Sequence, residues 1–133
     1  MADLEIVNLP IKQVTRIVSK GAYQLVDPNP LFLEKTIIQV DLALVTDTLY
    51  IYLPNSSVYK LGSSQEFIFQ TIGEAIGEPP YIEIRTYIPP KGEKVALDRI
   101  NGKVLGSIQD FGKDGNWYTI QLLAPNRWSA ELI

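Results

Sequence analysis

The chain has 133 residues, enough for one domain that buries roughly two-thirds of its unfolded surface in a single core. Hydrophobic residues make up 46% of it and charged residues 20%, which excludes a mainly disordered chain. The net charge of −3 offers no electrostatic footprint for a nucleic acid, and the sequence contains neither histidine nor cysteine, which excludes zinc sites and nucleophile systems built on them.

Targeting and membrane segments are not expected. The first residues carry acidic side chains where a signal peptide has basic ones, and no apolar run approaches the roughly 20 residues that span a bilayer. We therefore expect a soluble chain without a membrane partner.

Residues 1–18 leave two main interpretations open, and a helix across 11–20 is disfavoured by its β-branched residues. The apolar residues before Pro10 are Leu4, Ile6 and Leu9, but Ile6 and Leu9 do not share the parity of a clean strand, and Pro10 interrupts any hydrogen-bonded ladder. The stretch is either a poorly ordered terminus or edge strand, or an extended arm whose apolar residues dock on a neighbouring subunit.

The stretch 36–57 has the clearest strand pattern, with two runs in which apolar and polar residues alternate. Such alternation places successive side chains on opposite faces of a strand. In the second run Leu49, Ile51 and Leu53 face the core, and Tyr50 and Tyr52 face outward. The short break between the runs predicts an antiparallel hairpin.

Further short strands are predicted in the rest of the chain, separated by turn signals. They fall at 23–26, 66–70, 81–88, 94–97, 104–108 and 115–122, and the Asn-Gly pair at 101–102 predicts a tight turn. Strands at a spacing of about ten residues, with no convincing long helix, are typical of an all-β sandwich or barrel. We predict a single antiparallel, jelly-roll-like β-sandwich of seven or eight strands over 19–123, an arm or edge strand at 1–18, and a tail at 124–133 that contains Trp128.

Residues for catalysis or metal binding are few. The acids that could form a catalytic pair are expected to be solvated surface charges; they are Asp41, Asp47, Glu74, Glu78, Glu83 and Asp98. The oxygens of Asp110, Asp114 and Asn116 lie on one glycine-bearing stretch, but they lack the spacing of a calcium loop and favour a simple turn. We expect no enzyme activity, cofactor or metal.

The tyrosines that are predicted to face outward indicate more about function than the acidic residues do. Tyr50 and Tyr52 lie opposite the core residues of their strand, and so do Tyr81 and Tyr87. Tyrosine combines apolar area with a polar tip, so such a face suits a sugar ring or a subunit interface. Ordinary packing or an interface is favoured over ligand binding.

Three motifs occur in a characteristic order: LYIYLPNSS, then ALDRINGK, then GKDGNWYTI. In this order they resemble the small β-sandwich modules of tailed-bacteriophage structural proteins, which occur in capsid decoration proteins, head fibres and tail-fibre appendages. The resemblance covers residues 21–122. The chain departs from the pattern in its longer proline-bearing loop at 73–80 and in lacking a repetitive shaft, which favours a compact protein.

The resemblance implies a non-enzymatic virion structural protein, assembled in the cytoplasm of the bacterial host as a homotrimer. A capsid decoration, cement or head-fibre protein that binds the major capsid protein or another virion protein and stabilises the shell fits best. The alternative is a tail-fibre or baseplate appendage that binds a surface glycan as receptor. The residues expected at an interface are Leu4, Ile6, Leu9, Tyr50, Tyr52 and Trp128.

Overall fold

The computed structural model describes residues 11–25, 34–59, 65–94, 96–104, 107–108 and 117–132. Within these ranges the chain forms a seven-stranded and a four-stranded β-sheet. The larger sheet contains β1 Ile11–Ile17, β3 Glu34–Asp41, β5 Gln65–Ile72, β7 Arg99–Ile100, β8 Lys103–Val104, β10 Trp117–Ala124 and β11 Arg127–Leu132. The smaller sheet contains β2 Gly21–Gln24, β4 Thr48–Tyr52, β6 Tyr81–Arg85 and β9 Ser107–Ile108. The predicted all-β class is confirmed.

The first six strands alternate between the two sheets. In the larger sheet β1, β3 and β5 are neighbours and run parallel, and in the smaller sheet β2, β4 and β6 do the same. Parallel neighbours cannot be joined by a tight hairpin, because the chain must return to the same end of the sheet before the next strand begins. Here the intervening strand in the opposite sheet makes that return.

The predicted hairpin over 36–57 is therefore wrong, although both of its strands exist. β3 and β4 belong to different sheets and do not pair. The link between them is an apolar corner, since Leu42 and Val45 are buried in the core. Backbone amides of Leu44 and Val45 donate to the Asp41 carbonyl, which bends the chain toward the second sheet.

Among the described strands, each antiparallel pair includes at least one strand from β8 to β11. β10 runs antiparallel to β5 and to β11, β8 to β7, and β9 to β6. The predicted Asn-Gly turn joins β7 to β8, with φ angles of 49° at Asn101 and 83° at Gly102. A wholly antiparallel, jelly-roll-like sandwich is not what the strands form: both sheets are mixed, in the order β1-β3-β5-β10-β11-β7-β8 and β2-β4-β6-β9.

One core lies between the sheets. Ile38, Val40, Phe67 and Phe69 come from the larger sheet and are at most 2% exposed. Leu49, Ile51, Ile82 and Ile84 come from the smaller sheet and meet them in the same apolar cluster. Both groups alternate with half-exposed or polar residues, so one face of each sheet is buried, as the period-two pattern predicts.

The two ends of the chain contribute strands to the larger sheet. β1 lies within the predicted arm or edge strand and forms one edge of this sheet. The predicted tail at 124–133 contains β11, which pairs with β10 and places Trp128 in the core. None of the described ranges contains a helix long and apolar enough to cross a membrane.

Candidate interaction surface

The outer face of the smaller sheet carries a cluster of aromatic and charged side chains. It consists of Tyr50 and Tyr52 from β4 and Tyr81, Glu83 and Arg85 from β6, and we call it the tyrosine face. The two strands are parallel neighbours in which Tyr50 lies opposite Glu83 and Tyr52 opposite Arg85. Because alternate residues share a face, the sequence YIEIR places three of these side chains beside the two tyrosines.

Arg85 connects the members of the tyrosine face. Its Nε donates to Glu83 Oε1 at 2.8 Å, and its Nη1 donates to the Tyr52 hydroxyl at 3.2 Å. The guanidinium carbon lies 4.1 Å from the centre of the Tyr50 ring, a cation–π contact of about 0.5–2 kcal/mol. These contacts hold a long, flexible side chain flat against the sheet.

Glu83 is the buried member of the group. Its side chain is 8% exposed, whereas that of Arg85 is 33% exposed. One carboxylate oxygen accepts from Arg85 Nε, and the other accepts from the Tyr81 hydroxyl at 2.8 Å. The buried charge is thus paired and hydrogen-bonded, as burial of a carboxylate requires.

The carboxylate of Glu83 also shifts the protonation of its neighbours. Its hydrogen bond with Tyr81, together with desolvation of the phenol, raises the pKa of Tyr81 above the ordinary value. Its hydrogen bond with Arg85 raises the pKa of that guanidinium further, so Arg85 keeps its charge.

In a titration followed by tyrosinate absorbance, Glu83→Gln is expected to bring one tyrosine to ionise at lower pH. The folded-state pKa of Tyr81 lies above the unfolded one, so its contribution to stability is complete below pH 10.0 and is lost as pH rises through the raised value. Tyr81→Phe should remove this transition, and the exposed control Glu93→Gln should leave it in place. Coincident titrations of the wild type and Glu83→Gln would contradict the assignment.

The expectation that all the acids are solvated is wrong for two of them. Over the whole residue, Glu83 is 6% exposed and Asp98 is 3% exposed. Each of these buried carboxylates accepts hydrogen bonds from specific partners. Asp98 accepts from the Ser56 backbone amide at 3.0 Å and from Asn126 Nδ2 at 2.8 Å, on a different part of the fold. Within the described ranges no three acidic side chains converge to hold a metal ion. The calcium alternative at 110–116 lies outside those ranges.

The residues predicted for an interface do not lie on one common surface. Tyr50 and Tyr52 are half-buried on the outer face, as predicted. Trp128 is 2% exposed and packs against Tyr59 and Phe67, so its side chain belongs to the subunit's own core. The three apolar residues of the arm lie outside the described ranges; they are Leu4, Ile6 and Leu9.

Sequence reasoning missed the part that Glu83 and Arg85 play. A signal was present, because an acid and a base two residues apart on a strand, preceded by an outward tyrosine, share one face. What the sequence lacked was the parallel pairing that places this face beside Tyr50 and Tyr52.

A second outer face belongs to the larger sheet. Val14, Ile37 and Ile68 lie opposite one another on β1, β3 and β5 and form an apolar row. Beside it, Gln39 Nε2 donates to Gln70 Oε1 at 3.2 Å. The row is only partly covered within the described chain, since Val14 is 55% exposed.

Comparison of the chain with protein-family models, with curated proteins and with solved structures finds no match.

Proposed function

We propose that the chain is a non-enzymatic structural protein of a tailed-phage virion that assembles as a homotrimer through its tyrosine face. In this proposal it is a capsid decoration, cement or head-fibre protein that binds the major capsid protein or another virion protein. The assignment to a phage rests on the order of the LYIYLP, ING and NWYTI motifs. Assembly rests on the surface of the molecule.

The observation that carries the proposal is the composition and order of the tyrosine face. Tyrosine and arginine are enriched among the residues that dominate binding energy at protein interfaces. Here Tyr50, Tyr52 and Arg85 are held by mutual contacts within one subunit. A surface that is already ordered loses little side-chain entropy on association, which favours binding.

The parallel strands add support from a separate direction. Parallel sheets usually have both faces covered, whereas antiparallel sheets tolerate water on one side. β3 and β5 are parallel neighbours, yet their outward residues Ile37 and Ile68 are only half-buried. Association of subunits would cover such faces.

The geometry favours a protein partner over a glycan at this surface. A sugar ring binds tyrosine by stacking on the face of the aromatic ring. One face of the Tyr50 ring is already occupied by the Arg85 guanidinium at 4.1 Å, and the Tyr52 hydroxyl accepts from the same group. At Tyr50 the receptor-binding alternative would therefore have only the opposite face of the ring for stacking a sugar.

The virion assignment is tested by mass spectrometry of purified phage particles separated into heads and tails. We expect the chain in the head fraction, in a fixed ratio to the major capsid protein and retained through density-gradient purification. Its absence from purified particles, while it is abundant in the infected-cell lysate, would contradict the proposal. Recovery in tails alone would support the appendage alternative.

A further inference from the structure

Two arginines lie side by side on the outer face of the larger sheet. Arg99 of β7 and Arg127 of β11 are register partners on parallel neighbouring strands. The next residue of each strand is buried, so both arginines point away from the core and are exposed. Two adjoining cavities of about 340 and 410 Å³ are lined by both of them, and we call this region the double-arginine cleft.

The cleft is suited to a negatively charged partner with an apolar part. Two guanidinium groups placed side by side repel each other. Within the described part of the chain, neither arginine forms a salt bridge that would offset this repulsion. Leu97 and Leu123 line the cavities and are 40% and 68% exposed. Two cations that share their cavities with exposed leucines match a segment in which acids flank an apolar residue.

The same chain carries such a segment. The loop 73–80, which joins β5 to β6, exposes Glu74, Ile76 and Glu78, and Ile76 is 82% exposed. Gly73 and Gly77 adopt positive φ angles of 72° and 90°, which glycine reaches readily and which extended strand backbone does not have. We call it the acidic loop. It leads directly into Tyr81, so it is continuous with the tyrosine face.

The acidic loop and the cleft lie at opposite ends of the larger sheet. The loop follows Ile72, the last residue of β5. β10 runs antiparallel to β5, with Gln121 opposite Glu66, so the β10–β11 turn and Arg127 lie beyond the start of β5. β5 has eight residues and spans about 25 Å. The loop therefore cannot fill the cleft of its own subunit.

We propose that the double-arginine cleft receives the acidic loop of a second copy of this chain. The inference rests on the proposed trimer. It identifies the surface of one subunit that contacts the acidic loop of its neighbour, next to the neighbour's tyrosine face. Glu74 and Glu78 pair with Arg99 and Arg127, and Ile76 packs on the exposed leucines. Because the two surfaces differ, the contact is heterologous, and three such contacts close a ring.

Charge reversal tests this pairing. Sedimentation equilibrium of Arg99→Glu/Arg127→Glu is expected to show a trimer dissociation constant raised at least about 100-fold, since like charges then face each other. The fourfold variant that also carries Glu74→Arg/Glu78→Arg should recover trimers, because every contact is again complementary. The matched control Lys91→Glu/Lys94→Glu changes the net charge equally at an exposed turn and should leave the trimer intact.

Cross-linking gives a second test, since the chain contains no cysteine. Ile76→Cys/Leu123→Cys should form disulfides between chains on oxidation and yield covalent species of up to three copies. Ile76→Cys/Leu132→Cys, with the second cysteine on β11 outside the cleft, should not.

The outcomes separate the inference from the proposed function. A wild-type trimer that survives the arginine reversal, or a folded fourfold variant that stays monomeric, would overturn the loop-and-cleft contact while leaving the trimer in place. A trimer whose Ile76 and Leu123 cysteines never cross-link would do the same. A wild-type chain that is monomeric at every concentration would overturn both.

Discussion

Trp128→Ala is expected to lower the free energy of unfolding by about 3–5 kcal/mol, the cost of truncating a large buried aromatic residue. The Trp128 ring is 2% exposed and lies 6.1 Å from the ring of Tyr59 and 5.9 Å from that of Phe67. Tyr59 follows the 3₁₀ turn Ser56–Val58, which comes after β4, and Phe67 belongs to β5. The indole thus joins β11 to elements far away in sequence.

Urea unfolding followed by circular dichroism measures this loss. Leu132→Ala, on the same strand but 62% exposed, is the matched control and should change stability by no more than about 0.5 kcal/mol. Trp128→Phe should cost less than Trp128→Ala, because the smaller ring keeps much of the packing. If Trp128→Ala and Leu132→Ala were equally mild, β11 would not belong to the core.

Asp98→Ala is expected to destabilise the fold by about 2–4 kcal/mol. The buried carboxylate accepts from the backbone amide of Ser56, from its hydroxyl and from Asn126 Nδ2. These bonds tie the 3₁₀ turn after β4 to the β10–β11 turn, where Asn126 has a φ of 63°. Removing the carboxylate leaves the buried backbone amide and hydroxyl of Ser56 without this acceptor, whereas Asn126 Nδ2 still donates to the Ala96 carbonyl at 3.2 Å. Buried donors left unsatisfied cost more than their hydrogen bonds contribute.

Asp98→Asn is the conservative variant. It keeps the shape and one acceptor oxygen, so it should lose less stability than Asp98→Ala. Glu131→Ala removes an exposed acid from β11 and should leave the unfolding midpoint almost unchanged. Equal midpoints for Asp98→Ala and the wild type would show that this hydrogen-bond cluster does not hold the two turns together.

The existence and facing of many strands follow from the sequence. The alternation in β4, β5 and β6 places Ile51, Phe69 and Ile84 in the core, and all three are fully buried. The Asn-Gly pair at 101–102 marks a hairpin turn, and the structure has one there. These features depend on local periodicity and on backbone geometry, which the sequence displays directly.

Strand pairing did not follow from the sequence. An alternation with a period of two residues indicates that one face of a strand is buried. It does not indicate which strand lies beside it or whether that neighbour runs parallel or antiparallel. The link at 42–47 is short enough for a hairpin, yet burial of Leu42 and Val45 carries the chain across to the other sheet. The parallel arrangement of β1, β3 and β5 depends on these long-range contacts.

The candidate site was predictable in part for the same reason. Tyr50 and Tyr52 were expected on the outer face because their strand alternates, and they lie there. Burial of Glu83 depends on its partners across the strand pair, and burial of Trp128 depends on β11 joining the sheet. Neither can be inferred from local pattern.

Sedimentation equilibrium of the full wild-type chain over a wide concentration range tests most directly whether the protein assembles through its tyrosine face. We expect a mass of three copies that persists at low concentration, and a shift toward monomer for Tyr50→Ala/Tyr52→Ala. The control Tyr23→Ala, a 38% exposed tyrosine at the edge of the same sheet, should remain trimeric. A wild-type chain that stays monomeric at the highest concentration, or a trimer unaffected by loss of both tyrosines, would contradict the claim.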